Sequence, residues 1–291
     1  STINLGANTL TIGFGSGQNT DGTANANFAG VISGTGSIIK DDTSTQIFSG
    51  NNTYTGTTSV NAGILIAGST NALGSVAGGT TVANGASLLI ANGVAVGAEP
   101  LNINGAGTVG APGALTQAAG GSSSFAGLIT VQTASTISTN GAGTLTLSGG
   151  IDKTNVILTL NGGGTININT VGISGNNDNL FNDDLIVDAA TTVNLNTANT
   201  YEGPTFIRNG STVNANVANA LPTLNGRTRI EMDAGVGNLA LGASQSIASL
   251  NSVNVGSTVN LGANTLTIGF GSGQNTNGTA NANFTGVISG T

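Results

Sequence analysis

Apolar and polar residues alternate along this chain in short runs, and Gly or Asn closes each run. In "NTLTIGF" the alternation sends Leu10, Ile12 and Phe14 to one face and Thr9, Thr11 and Gly13 to the other. "GTLTLSGG" repeats the pattern with Leu145 and Leu147, "GTININT" with Ile166 and Ile168, and "TTVNLNT" with Val193 and Leu195. A period of two is the signature of a half-buried strand, and Thr, Val and Ile suit its pleated surface. Gly and Asn supply the positive φ that tight turns need. No helical pattern of ten or more residues stands out. The best candidate, "NVANALPTL" (216–224), is cut by Pro222.

The ends of the chain carry the same text. Residues 1–35 and 257–291 agree at all but three of 35 positions: Ile3 against Val259, Asp21 against Asn277 and Ala29 against Thr285. The offset of 256 residues makes 1–256 one unit and 257–291 the start of the next. The Asp→Asn and Ala→Thr differences read as drift at turns or surface. A chain that begins at Ser1 in mid-pattern, with no secretion signal, reads as a piece of something longer. A shorter internal echo aligns Asn52, Thr53, Tyr54 and Gly56 with Asn199, Thr200, Tyr201 and Gly203. It continues with Gly63 against Gly210, and Asn71-Ala72-Leu73 against Asn219-Ala220-Leu221.

Short strands, tight turns and internal repeats predict an all-β solenoid with little or no helix. Rungs of around 20 residues would stack about 4.8 Å apart, giving roughly 12–15 rungs over roughly 60 Å. Small aliphatics would fill a narrow core and Asn would ladder from rung to rung. A β-sandwich is the main rival. It favours larger core residues, while aromatics are only 3% of this chain, and it leaves the 256-residue offset unexplained. Phe14, Phe28, Tyr54, Phe125, Phe181, Tyr201 and Phe206 are expected to stack in the core or cap it.

"FSGNNTYTGTTSVNAGILIAGSTNALG" (48–74) resembles the autotransporter-associated β-strand repeat. That family combines an Asn-Thr-Tyr-x-Gly-x-Thr turn, a Val strand, a Gly-Thr-Leu-like strand (here Gly63-Ile64-Leu65) and an Asn-Ala-Leu-Gly close. The likeness is weaker over 192–222. It implies a right-handed parallel β-helix in a large secreted or surface-displayed bacterial protein of adhesin or structural passenger type. The chain departs from such proteins in showing no C-terminal outer-membrane barrel and in its near-identical copy 256 residues on.

Composition excludes several function classes. Lys and Arg total 5 against 12 Asp and Glu, so nothing here neutralises a phosphate backbone or an anionic membrane. No apolar run reaches the roughly 18 residues of a membrane helix. Without His or Cys there is no Ser-His-Asp or Cys-His nucleophile and none of the commonest zinc ligands. "GAGTVG" (105–110) fits a dinucleotide loop, but no helix follows it, and Gly abundance makes such matches cheap.

Two concentrations of charge remain. "RTRIEMD" puts Arg227, Arg229, Glu231 and Asp233 on one strand face, either as an outward row of ion pairs or as a partner-binding patch. "NNDNLFNDDLIVD" gathers Asp178, Asp183, Asp184 and Asp188, which offer oxygens for calcium but equally build Asx turns. No other metal and no cofactor is implied. The expectation is therefore a non-enzymatic structural unit of an extracellular or cell-surface bacterial fibre, sheath or stalk. Its partners would be identical units, end to end and laterally. The alternative is an adhesin or glycan-binding passenger domain that meets cell-surface or glycan partners.

Overall fold

The computed structural model describes residues 1–13, 25–175, 185–223, 228–269 and 283–291. Phe14, Asp21, Asp178, Phe181, Asp183, Asp184, Arg227 and Asn277 lie outside them. Among the described residues the named strands all pair in parallel and no helix occurs. The segment 216–223, the best helical candidate in the sequence, is turn and irregular backbone. The chain is an all-β solenoid of stacked coils, divided into two compact units, Ser1–Gly149 and Gly150–Thr291.

In the first unit one column of inward side chains runs Leu10, Ile38, Thr58, Thr80, Leu101 and Ile129, each the register partner of the next. A second column runs Leu65, Leu88, Leu115 and Ile137. All four of its members are fully buried. Every step is a parallel backbone ladder, so each coil's N–H and C=O groups are satisfied by the coils above and below. Alternation within each strand keeps the partners of the column facing inward.

The second unit repeats the scheme with Leu158, Leu185, Thr205, Ile230 and Leu250 in one column. Another runs Ile166, Val193, Val213, Leu239, Val259 and Ile288. Beside it the asparagines expected to ladder do so. Asn194 Nδ2 donates to Asn167 Oδ1 and Asn214 Nδ2 to Asn194 Oδ1, each at 2.7 Å. A parallel ladder links Asn169, Asn196 and Asn216 at 2.7 and 2.6 Å.

Coil length is less regular than expected. Register partners lie 20 residues apart at Ile38 and Thr58 but 29 apart at Thr2 and Val31. The described residues therefore make about 10 turns rather than 12–15. Extra residues are absorbed at corners. Between the strands Ile38–Phe48 and Thr58–Ala67 the register shifts at Lys40/Asp41 and again at Asp41/Thr45. Gly63 sits opposite this bulge with φ +66°, and a Cβ there would stand 2.4 Å from Ser44 O. Both facts require glycine at this corner.

Replacing Asn194 with Ala cuts the middle link of a ladder that no apolar core contact duplicates. The expected loss is roughly 0.5–1.5 kcal/mol per bond, read as a lower denaturation midpoint, while Asn216→Ala at the ladder's end costs less.

Candidate functional site

The two copies of Asn-Thr-Tyr-x-Gly-x-Thr build the same constellation. Asn52 is buried, accepts from the Ile32 N–H at Oδ1 (2.9 Å), and donates from Nδ2 to the Ala72 carbonyl (2.6 Å). One side chain thus ties three successive coils together. Its own N–H donates to the Asn71 carbonyl at 3.0 Å. Asn199 does the same with the Ile173 N–H (2.7 Å) and the Ala220 carbonyl (2.7 Å), and its N–H meets the Asn219 carbonyl (3.0 Å). The Asn-Ala-Leu close therefore follows each motif because it is the stretch of the next coil that receives the asparagine.

The tyrosines are the largest fully buried side chains. Tyr54 shares a hydrogen bond with Thr58 Oγ1 at 2.6 Å, and Tyr201 with Thr205 Oγ1 at 2.8 Å. In each case the partner is the motif's final Thr, four residues on. Burial, and for Tyr54 also the nearby Glu99 carboxyl, pushes both phenols above their ordinary value.

Charge lies where composition gave no hint of it. Lys40 is fully buried at the corner bulge and pairs with the Asp42 carboxylate, which also accepts from Ser44 Oγ at 2.7 Å. Burial alone would raise the Asp42 carboxyl, but Lys40 and Ser44 outweigh it and hold it below its ordinary value. Glu99 is 3% exposed and accepts from Thr80 Oγ1 at 3.0 Å. Burial pushes its carboxyl up to about 7. Lys153 and Glu202 are also buried. The sequence signal was slight: Glu99 directly precedes Pro100, and Glu202 stands two residues before Pro204.

The charged strand Arg229–Met232 turns as the alternation requires. Thr228, Ile230 and Met232 are buried, while Arg229 and Glu231 are partly buried and Asp233 exposed. Arg229 lies 3.8 Å from Glu231, but Asp233 pairs across coils, not along its strand. Arg208 Nε and an Arg208 terminal nitrogen meet the two Asp233 oxygens at 2.6 Å each. Glu231 also accepts from Asn251 Nδ2 at 2.8 Å. The Arg208 guanidinium lies 4.2 Å from the Phe206 ring centre. Phe206 is thus a half-exposed outward residue and not the core stacker expected, because its place in Thr205–Ile207 is the outward one between two buried neighbours. Phe125, Tyr54 and Tyr201 do stack in the core.

Among the described residues no three His, Cys, Asp or Glu side chains converge on a point that could hold a metal. Asp188, the described member of the calcium candidates, accepts at Oδ1 from Asn209 Nδ2 (2.7 Å) and from the Ala189 N–H (2.6 Å), so its carboxylate serves the turn and the neighbouring coil.

The passenger-associated-transport-repeat family model matches residues 38–67 and 190–214. The two matched stretches overlap the two segments that resemble the autotransporter-associated repeat, and the chain is similar to that family there. No curated protein and no solved structure matches the chain.

Tyr54→Phe leaves the buried Thr58 hydroxyl without its partner and is expected to cost about 1–3 kcal/mol; Asn52→Ala orphans an N–H and a C=O and costs more, by chemical denaturation. Glu99 has an ordinary value of 4.5 and a folded value of about 7. Its neutral form favours the folded state, so its contribution is complete below pH 4.5 and is lost as pH rises through 7. Glu99→Gln is expected to flatten the fall in melting temperature across that window.

Proposed function

We propose that this chain is a structural repeat segment of a large secreted or surface-displayed passenger, and that its work is mechanical. The observation that carries this reading is where the repeated motif spends its polar atoms. Asn52, Tyr54, Asn199 and Tyr201 are buried, and their side chains bond between coils or brace the turn beneath. A motif kept for ligand recognition would leave such groups facing outward; this one uses them to join coil to coil. Its two occurrences fall inside or beside the two matches to a passenger-associated transport repeat, which supports a secreted or surface passenger.

The units assemble end to end in this reading. An open end of a β-solenoid presents a row of unpaired backbone N–H and C=O groups, and such an edge templates another strand. The interior is narrow, aliphatic and bonded along the axis, so load is shared by many parallel backbone bonds. No residue is assigned a catalytic role. The glycan-binding alternative needs an open aromatic platform, and the Phe206 ring is covered by Arg208.

Electron microscopy of native material, with antibody against this segment, tests the reading. Extended fibres or stalks outside the cell with a regular axial repeat are expected. Discrete, unassembled particles that hold carbohydrate on a glycan array would overturn it.

A further inference from the structure

Three successive coils of the second unit present a grid of nine outward side chains. Its rows are Thr165, Asn167 and Asn169; Thr192, Asn194 and Asn196; Thr212, Asn214 and Asn216. Strand register stacks two files, Thr165 on Thr192 on Thr212 and Asn167 on Asn194 on Asn214. The asparagine bonds stack the third, Asn169, Asn196 and Asn216. Beneath the grid the alternate residues, such as Ile166, Val193 and Val213, are fully buried, so it stands on a packed floor. None of the nine carries charge. The ion pairs of this unit stand on other strands: Arg208 follows Thr205–Ile207, and Arg229 and Glu231 belong to Arg229–Met232.

The ladders leave part of each amide unused. Asn194 donates to Asn167 and accepts from Asn214; Asn196 donates to Asn169 and accepts from Asn216. A primary amide has two N–H groups and two lone pairs, so each keeps one N–H and one lone pair for a group outside the coil stack. The ladders also hold these amides in one orientation. Docking then costs little of the side-chain entropy that a loose asparagine would lose.

We infer that this Asn/Thr grid is a lateral docking face for the same grid of a second copy of the chain. Three properties select a copy as the occupant. The grid is self-complementary, since every side chain on it both donates and accepts. Its axial period is the coil spacing of about 4.8 Å, which an identical grid matches row for row. It is also neutral on a chain of net charge −7, so two chains repel least where these faces meet. The contact is isologous, about a two-fold axis lying in the contact plane. Asn194 is the centre of the grid, so it meets Asn194 of the second copy however that axis is turned within the plane. The grid covers roughly 300 Å², from a strand rise of about 3.3 Å and the coil spacing, against about 800 Å² per partner in a stable complex. One pair of grids is therefore a weak contact. It gains strength where repeated units lie side by side, because each contact raises the effective concentration of the next. The inference rests on the structural reading above and adds a flank to its end-to-end axis.

The test uses the full chain at high concentration. Sheets packed face to face stand about 10 Å apart, too far for a disulfide, so Asn194→Cys is treated with a short bis-maleimide. The chain has no cysteine of its own to compete. Cross-linked dimer is expected at about five times or more the yield from Ser246→Cys, an outward position between buried Gln245 and Ile247 on another strand. Asn194→Asp and Asn194→Lys are each expected to weaken self-association about threefold or more in sedimentation, and mixing the two to restore it, because each charge meets its opposite only in the mixture. Damage to the ladder alone would leave the mixture as weak as its parts. Equal cross-linking at the two cysteines, or a mixture that does not recover, overturns the inference. So does a wild-type chain that yields no dimer but is held by a neutral polysaccharide and released by Asn194→Asp. Native fibres that stay single beside such results would sink the lateral contact and leave the structural reading standing.

Discussion

Everything in this molecule depends on the parallel backbone ladder between successive coils. In an ordinary sheet a strand finds its partners and the sheet ends. Here each coil is partner to one below and one above, so no coil is satisfied alone. The ladder fixes the register, and the register forces inward residues into columns: Leu65 on Leu88 on Leu115, Ile166 on Val193 on Val213. Columns of like side chains need no large rings to fill space, which is why so few aromatics suffice.

Polar side chains are subordinate to the same ladder. Half-buried asparagines run in files parallel to it, Asn167 to Asn194 to Asn214. Buried asparagines replace backbone bonds where a turn leaves the ladder, as Asn52 and Asn199 do. Even the buried Lys40 serves the corner, where the chain swells by extra residues and exposes carbonyls that the ladder no longer reaches. The Lys40–Asp42 pair thus marks an irregularity in the coil rather than contact with the outside.

The alternation in "ININT" and "VNLNT" told which residues face inward, because a period of two has one inward solution once a core exists. Recurrence of Asn-Thr-Tyr and Asn-Ala-Leu marked one coil, although its meaning as donor and acceptor of the same bond needed three dimensions. Coil length was not legible. It depends on how many residues a corner absorbs, and corners such as Asp41–Thr45 read like strand. Nor could sequence show Glu99 as buried, since a lone acid before proline looks like a surface turn. Arg208 and Asp233 sit 25 residues apart, a spacing fixed only by the length of the intervening coil.

Residues 1–35 and 257–291 agree at 32 of 35 positions, and the described strands of both copies close in the same way. Because both copies close with the same register, a gain or loss of 256 residues between them would leave the described columns in phase. The next coil then meets the surface that it already meets elsewhere in the chain. The columns set by Ile3 on Ile32 and by Val259 on Ile288 are thus blind to how many residues separate the two copies.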